Sequence, residues 1–227
     1  MREVSDATKI LEGRGTGEGK DYKPWILPRE INSKGTCSLY PDWKTGRSIS
    51  CLSQTERYVF VKMRWNDEVK EIREQFPLLP LSKTTEIAKR LGIRPFNNGR
   101  TIMSTDFLVF FKDGTRKAVN VKTSEKEYND KRNLEHARIE QAYWREVYGI
   151  ELTYATRDQL DMTEVLNIMD VVPQYDLANV YDDISLARHM IARKTVLVDM
   201  TRKIDYLRLI EALKETEEWK DLKSRLE

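Results

Sequence analysis

Asp106, Asn120 and Lys122 are the residues whose types and spacing could do chemistry together. Asp106 lies in a strand-forming run, Ser104-Thr105-Asp106-Phe107-Leu108-Val109-Phe110-Phe111, that meets a turn at Lys112-Asp113-Gly114. A second such run covers 115–123. A carboxylate, an amide oxygen and an ammonium on one side of a hairpin suit metal-dependent phosphodiester hydrolysis. The oxygens fit a hard divalent cation, and the lysine faces phosphate charge.

The turn decides whether these groups meet. A three-residue loop with glycine third fits a type I turn closing in a left-handed glycine. It sets Phe111 opposite Thr115, so paired numbers sum to 226 and Asp106 faces Asn120. Lys122 then follows two residues along on the same face. A two-residue turn at Asp113-Gly114 would set Asp106 opposite Val121 and break the site. The three-residue loop is the expectation. Taken alone, the same pattern also fits an ordinary amphipathic hairpin with a polar face.

The elements that must position these groups are readable on either side. Ser53-Gln54-Thr55-Glu56 opens a helix running to about Trp65, with Tyr58, Val59 and Met63 on its apolar face. Serine followed three residues later by glutamate is a capping box, and Glu56 could also be a metal ligand presented at the first turn. The segment 69–79 is ambiguous: Val69, Ile72 and Phe76 have helical spacing, while Pro77 and Pro80 stop a helix. Residues 81–92 predict a short helix ending at Gly92, and Asn97-Asn98-Gly99 a turn. Residues 133–148 predict an amphipathic helix closed by Gly149, with Tyr143 and Trp144 in the core, and 151–156 the next strand. Strand, helix and strand beside a hairpin make a mixed α/β sheet.

Composition bounds the rest. The chain has 227 residues, 33% charged and 40% hydrophobic, with a net charge of +2, so any nucleic-acid affinity must come from local patches. Between Lys112 and Arg132 seven Lys/Arg face four Asp/Glu, and between Arg188 and Arg208 six face two. Either run is a phosphate-facing patch or plain solvated surface. Two cysteines, Cys37 and Cys51, are too few for a metal framework and read as reduced thiols of a cytoplasmic protein. His136 and His189 are far apart and expected at the surface. No transmembrane stretch or signal core is legible. Gly13, Gly15, Gly17 and Gly19 lack Walker spacing and read as a flexible arm, with a DNA-gripping loop the alternative. After Pro173, short helices, a strand-like Thr195–Met200 run and a long charged helix over 204–226 suggest a helical or winged-helix module.

Several blocks resemble the TnsA family, the endonuclease subunits of heteromeric cut-and-paste transposases. They are Glu12-Gly13-Arg14-Gly15, Gly19-Lys20-Asp21-Tyr22 with Pro24-Trp25, Lys44-Thr45-Gly46-Arg47, Ile72-Arg73-Glu74-Gln75-Phe76-Pro77-Leu78-Leu79-Pro80, Met103-Ser104-Thr105-Asp106-Phe107-Leu108-Val109, and Val121-Lys122. The resemblance covers most of residues 10–160 and continues weakly to about 205.

The resemblance implies a restriction-endonuclease-like α/β core: a mixed sheet flanked by helices, with 69–76 as a core strand. The expected organisation is a loop-rich arm over 1–50, a catalytic core over 51–172 and a small mainly helical, winged-helix-like C-terminal domain over 173–227. It implies Glu56, Asp106, Asn120 and the Val121 carbonyl as ligands of Mg²⁺, with Mn²⁺ able to substitute, and Lys122 as the residue that orients water or stabilises developing charge. Glu140 matches an acidic position of the family, with a surface salt bridge as the other reading. The family carries glutamine where this chain has Asn120, one methylene shorter, which makes a less anionic site. The implied activity is 5′-strand cleavage of double-stranded DNA at transposon ends. Its implied partners are a TnsB-type transposase that cuts and joins the 3′ strands, a TnsC-type AAA+ ATPase regulator and, in some relatives, a target-selection complex, at the bacterial nucleoid with no membrane. A stand-alone restriction or repair nuclease of the same fold and a non-catalytic bridging subunit are the alternatives.

Overall fold

The computed structural model describes residues 4–31 and 37–226. The chain forms two compact units that divide between Leu160 and Asp161. The first unit runs α1 (Asp6–Leu11), β1 (Ser38–Pro41), β2 (Ser48–Cys51), α2 (Gln54–Trp65), β3 (Val69–Pro77), α3 (Leu81–Arg90), β4 (Ser104–Phe111), β5 (Arg116–Lys122), α4 (Glu125–Tyr128), α5 (Lys131–Tyr143) and β6 (Leu152–Thr156). Strands β1 and β2 form a small hairpin of their own. The main sheet has the order β3-β4-β5-β6, antiparallel except for the parallel β5–β6 edge. Parallel neighbours need a crossover, and α5 supplies it. A mixed sheet with flanking helices, followed by a helical region, is the fold class expected.

The hairpin adopts the three-residue loop. Phe107 pairs with Val119, Leu108 with Ala118, Val109 with Lys117 and Phe110 with Arg116, each pair summing to 226. The Phe111 amide donates to the Thr115 carbonyl at 2.9 Å, and Gly114 closes the turn at φ +86°, where a side chain would be strained. Strand β3 resolves the ambiguous 69–79 segment: Ile72, Glu74, Gln75 and Phe76 are all buried, so neither a period of two nor of 3.6 is legible.

Helix α2 begins at Ser53, whose hydroxyl accepts from the Glu56 amide at 3.1 Å. Its buried Phe60 packs against Phe107 of β4 at 6.4 Å between ring centroids. Its buried Arg64 donates to Asp42 at 2.7 Å, tying the helix to the β1–β2 turn. Phe76, Leu108 and Ala118 of the sheet share a core with Ile87 and Ala88 of α3 and Ile139, Tyr143 and Trp144 of α5. Each large apolar side chain buried there contributes roughly 1.5–3 kcal/mol.

The glycine-rich arm is packed rather than free. The Gly15 amide donates to the Lys23 carbonyl at 2.6 Å, and Lys23 returns a bond to Thr16 at 3.1 Å. A Cβ on Gly15 would stand 2.2 Å from Pro77 Cγ, and one on Gly17 2.3 Å from the Asp21 carbonyl oxygen. Arg14 is buried between Glu12 and Glu30 at 2.7 Å from each. Tyr22 donates its hydroxyl to the Glu74 carbonyl at 3.0 Å. Glu74 itself is fully buried and receives both arms of the Arg47 guanidinium, at 2.9 and 2.7 Å. Gly15, Tyr22, Trp25 and Arg47 therefore fasten this segment to β3, while Arg14 and Gly17 hold it together internally.

The second unit runs α6 (Met162–Val171), α7 (Asp183–Ala192), α8 (Tyr206–Leu213) and α9 (Glu217–Ser224). Leu186, Ala187 and Met190 of α7 pack with Ile210 and Leu213 of α8 and Trp219 of α9. Asp170 binds Arg188 at 2.8 Å and the Tyr206 hydroxyl at 2.6 Å, joining three helices through one carboxylate. Three expectations need correction. The strand-like Thr195–Met200 run forms no strand, and among the described residues this unit has no strand at all, so the module is helical rather than winged. The run leaves α7 after Lys194 at φ +58° and has no neighbouring ladder to join. The long helix over 204–226 is two helices, broken by Thr216, whose hydroxyl caps α9. The unit begins at Asp161, so Pro173 lies inside it instead of at its edge.

Candidate active site

Ser104, Asp106, Asn120, Lys122, His136 and Glu140 line one cavity of about 180 Å³. The hairpin register brings the first four to it, and α5 brings His136 and Glu140. Asp106 is held by its neighbour strand: its Oδ2 accepts from the Val121 amide at 2.6 Å. Lys122 donates to the Val121 carbonyl at 3.2 Å. Glu56 arrives from α2 and is 8% exposed. Its Oε1 accepts from the Ser53 hydroxyl at 3.0 Å and its Oε2 from the Leu52 amide at 2.9 Å. The cap and the site reading of Glu56 are thus compatible, because the carboxylate that fastens the helix start also faces Asp106.

Gln75 joins the two carboxylates. Its Nε2 stands 3.4 Å from Glu56 Oε2 and 3.3 Å from Asp106 Oδ1, and its Oε1 accepts from Ser104 at 3.0 Å. Sequence reasoning passed over this residue. Its one available signal was membership of the Arg-Glu-Gln-Phe-Pro-Leu-Leu-Pro block, since its backbone φ of +47° has no signature in residue type.

Glu140 is buried, not a surface ion-pair partner. Its Oε1 accepts from Asn120 Nδ2 at 3.1 Å and its Oε2 from the Thr105 hydroxyl at 3.0 Å. Thr105 in turn accepts from the Trp144 indole at 2.8 Å. This chain fixes which end of the Asn120 amide is which. Asn120 Oδ1 is buried and, among the described residues, has no hydrogen-bond partner. An unmet buried carbonyl costs about 1–3 kcal/mol and calls for an explanation.

Burial and mutual repulsion raise the carboxyl groups that meet here, against the pull of Lys122. Burial, then repulsion from Asp106, pushes the Glu56 carboxyl up to about 8. Burial also raises Asp106, against the opposing pull of Lys122 and the Val121 and Gln75 donors. Burial followed by Asp106 raises Glu140 to about 7. Carboxylates, an amide oxygen and a backbone carbonyl form an all-oxygen donor set, which suits Mg²⁺ or Mn²⁺ over softer ions. Among the described residues no group of three or more His, Cys, Asp or Glu side chains is placed to hold a metal, so Asn120, the backbone and water must complete any coordination shell. The unmet Asn120 oxygen beside Asp106 fits that requirement.

His136 is half-buried, edge-on to Phe96 at 5.1 Å, and burial lowers its pKa. His189 is buried in the second unit, with Nδ1 at 2.7 Å from the Gln174 carbonyl. The surface placement expected for both is corrected for His189, whose ring is buried, while His136 keeps part of its ring at the cavity. Neither Cys37 nor Cys51 is in a disulfide. Among the described residues no helix is long and apolar enough to cross a membrane.

Two carboxyl groups, an amide oxygen and a lysine thus meet on a mixed sheet flanked by helices, residue types that metal-assisted phosphodiester hydrolysis uses. In agreement, residues 66–156 carry a domain that matches the family described as TnsA-like endonuclease N terminal. The chain is also similar to the Transposon Tn7 transposition protein TnsA of Escherichia coli, 45% identical over 148 residues. That match takes in 63% of this chain and 54% of the relative, so the chain spans about half the length of the curated relative it matches.

Proposed function

We propose that this chain is a divalent-cation-dependent DNA endonuclease of transposition, cutting the 5′ strands at transposon ends beside a separate transposase that processes the 3′ strands. One observation carries the reading: Asp106, Asn120 and Lys122 line a single cavity to which Gln75 links Glu56, within and beside a segment that matches TnsA-like endonucleases. Glu56, Asp106, Asn120 Oδ1 and the Val121 carbonyl would hold Mg²⁺, with Mn²⁺ able to substitute. The bound cation supplies Lewis-acid polarisation of the scissile phosphate and a more acidic water.

The chain's own groups divide the remaining work. Glu56 and Asp106 face each other and fix where positive charge sits. Lys122, beside Asp106, directs its ammonium toward the charge that develops on the phosphate in the transition state. Glu140 keeps the Asn120 oxygen toward the cavity. The partners of this reading are double-stranded DNA, a TnsB-type transposase and a TnsC-type ATPase regulator. The second, helical unit is then assigned to regulator and DNA contact. The test is cation dependence: with a labelled transposon-end duplex and the partner transposase, the 5′ cut should vanish in chelator and return with Mg²⁺ or Mn²⁺. A 5′ cut that persists in chelator sinks the reading.

A further inference from the structure

We propose that Gln75 is a positioning residue whose side-chain amide holds the Glu56 and Asp106 carboxylates at one focus and so sets the affinity of the site for a divalent cation. The inference rests on the reading of those carboxylates as cation ligands, and deepens it.

Gln75 lies in β3 between the register pairs Glu74–Phe107 and Phe76–Thr105, which puts it across from Asp106. It is buried. The Ser104 hydroxyl donates to its carbonyl oxygen, which leaves the NH₂ end toward the carboxylates. Turned over, the amide would set its oxygen against two carboxyl groups. An amide nitrogen carries two N–H donors, and two carboxylates from separate elements stand within 3.4 Å of it. Both distances exceed the usual 2.7–3.2 Å for N–H···O bonds, as expected for one nitrogen shared between two acceptors. A point within reach of both oxygens is what a bridging cation also needs.

The backbone supports the same conclusion. At φ +47° Gln75 sits in the left-handed region, unfavourable for any residue with a Cβ. Pairing does not require it: the ladder keeps one register on both sides of Gln75, and the only shift in β3 lies between Val69 and Glu71. Trp25 donates its amide to the Gln75 carbonyl at 3.1 Å and helps to pin this conformation. The docked N-terminal arm therefore reaches the carboxylates through one residue, held strained from both ends.

The test is a calorimetric titration of the full chain with Mn²⁺ alone, without DNA, for wild type, Gln75→Met and Gln75→Glu. Methionine keeps the length and loses both amide ends, and Mn²⁺ affinity should fall about 10–100-fold. Glutamate keeps the Ser104 acceptor and adds a third carboxylate, and affinity should rise by about tenfold or more. Opposite shifts from two residues of one size are not what a merely structural role produces. Wild-type affinity in both folded variants, or shifts in one direction, overturns the proposal and leaves the cation site standing. If Gln75→Met fails to fold, Gln75→Glu decides alone, and unchanged or weaker binding overturns it. Absence of Mn²⁺ binding by wild type overturns the underlying reading and the proposal with it.

Discussion

Replacing Glu56 by glutamine should stabilise the metal-free protein while removing its function. The folded Glu56 carboxyl sits at about 8 against an ordinary 4.5. A raised acid pKa means that the folded state holds its proton more tightly than the unfolded state. Stability therefore falls as pH rises through the window from about 4.5 to about 8. At pH 7 the difference of about 2.5 pH units corresponds to about 3 kcal/mol, at 1.36 kcal/mol per unit. Glutamine carries no charge to desolvate. Its single oxygen can serve the Leu52 amide and the Gln75 donor, which already share Glu56 Oε2, while the Ser53 hydroxyl loses its acceptor to an NH₂, so the net gain should be about 1–3 kcal/mol. For a chain of this size that is a rise of several degrees in Tm, at about 2–4 °C per kcal/mol. The assay is thermal denaturation in chelator from pH 5 to 9. The variant should gain most at pH 8 and little at pH 5. Adding Mn²⁺ should stabilise wild type and leave the variant nearly unmoved. A variant no more stable than wild type at pH 8 in chelator, or an unchanged slope with pH, would refute the reasoning.

Three further outcomes follow from the same geometry. Glu140→Ala removes the acceptor that orients Asn120, and single-turnover cleavage should fall about 10–100-fold with the fold intact by circular dichroism. Arg47→Ala strands the fully buried Glu74 carboxylate without its guanidinium, and chemical denaturation should show a loss of about 3–5 kcal/mol. Gly15→Ala brings a Cβ within 2.2 Å of Pro77 Cγ at a φ of +77°, and should cost about 1–3 kcal/mol by the same measurement, where a surface arm would lose almost nothing.

Much of the site was legible in residue types because its positioning rests on local rules. The Lys112-Asp113-Gly114 turn dictates the register, and the register dictates that Asp106, Asn120 and Lys122 share a cavity. Ser53 and Glu56 mark the start of α2 whatever else Glu56 does. What was not legible depends on contacts distant in sequence. Strand β3 is buried along most of its length, so its pattern shows no period. The glycines of the arm look mobile until Pro77 is known to lie against Gly15. Thr195–Met200 has the composition of a strand and no sheet to join. Gln75 escapes, and Glu140 is left between a family acid and a surface ion pair. Glu140 looks like one of many helical acids until Asn120 and Thr105 are seen to donate to it, and Gln75 acts through a backbone angle that its side chain does not announce.

The most direct measurement is strand-specific cleavage of an end-labelled transposon-end duplex by wild type and Asp106→Ala, each with Mg²⁺ and the partner transposase. The account predicts a 5′-strand cut by wild type that Asp106→Ala abolishes, while the 3′-strand reactions of the partner persist. A 5′ cut that survives in Asp106→Ala would contradict it, placing the chemistry outside this cavity and leaving the chain a bridging subunit.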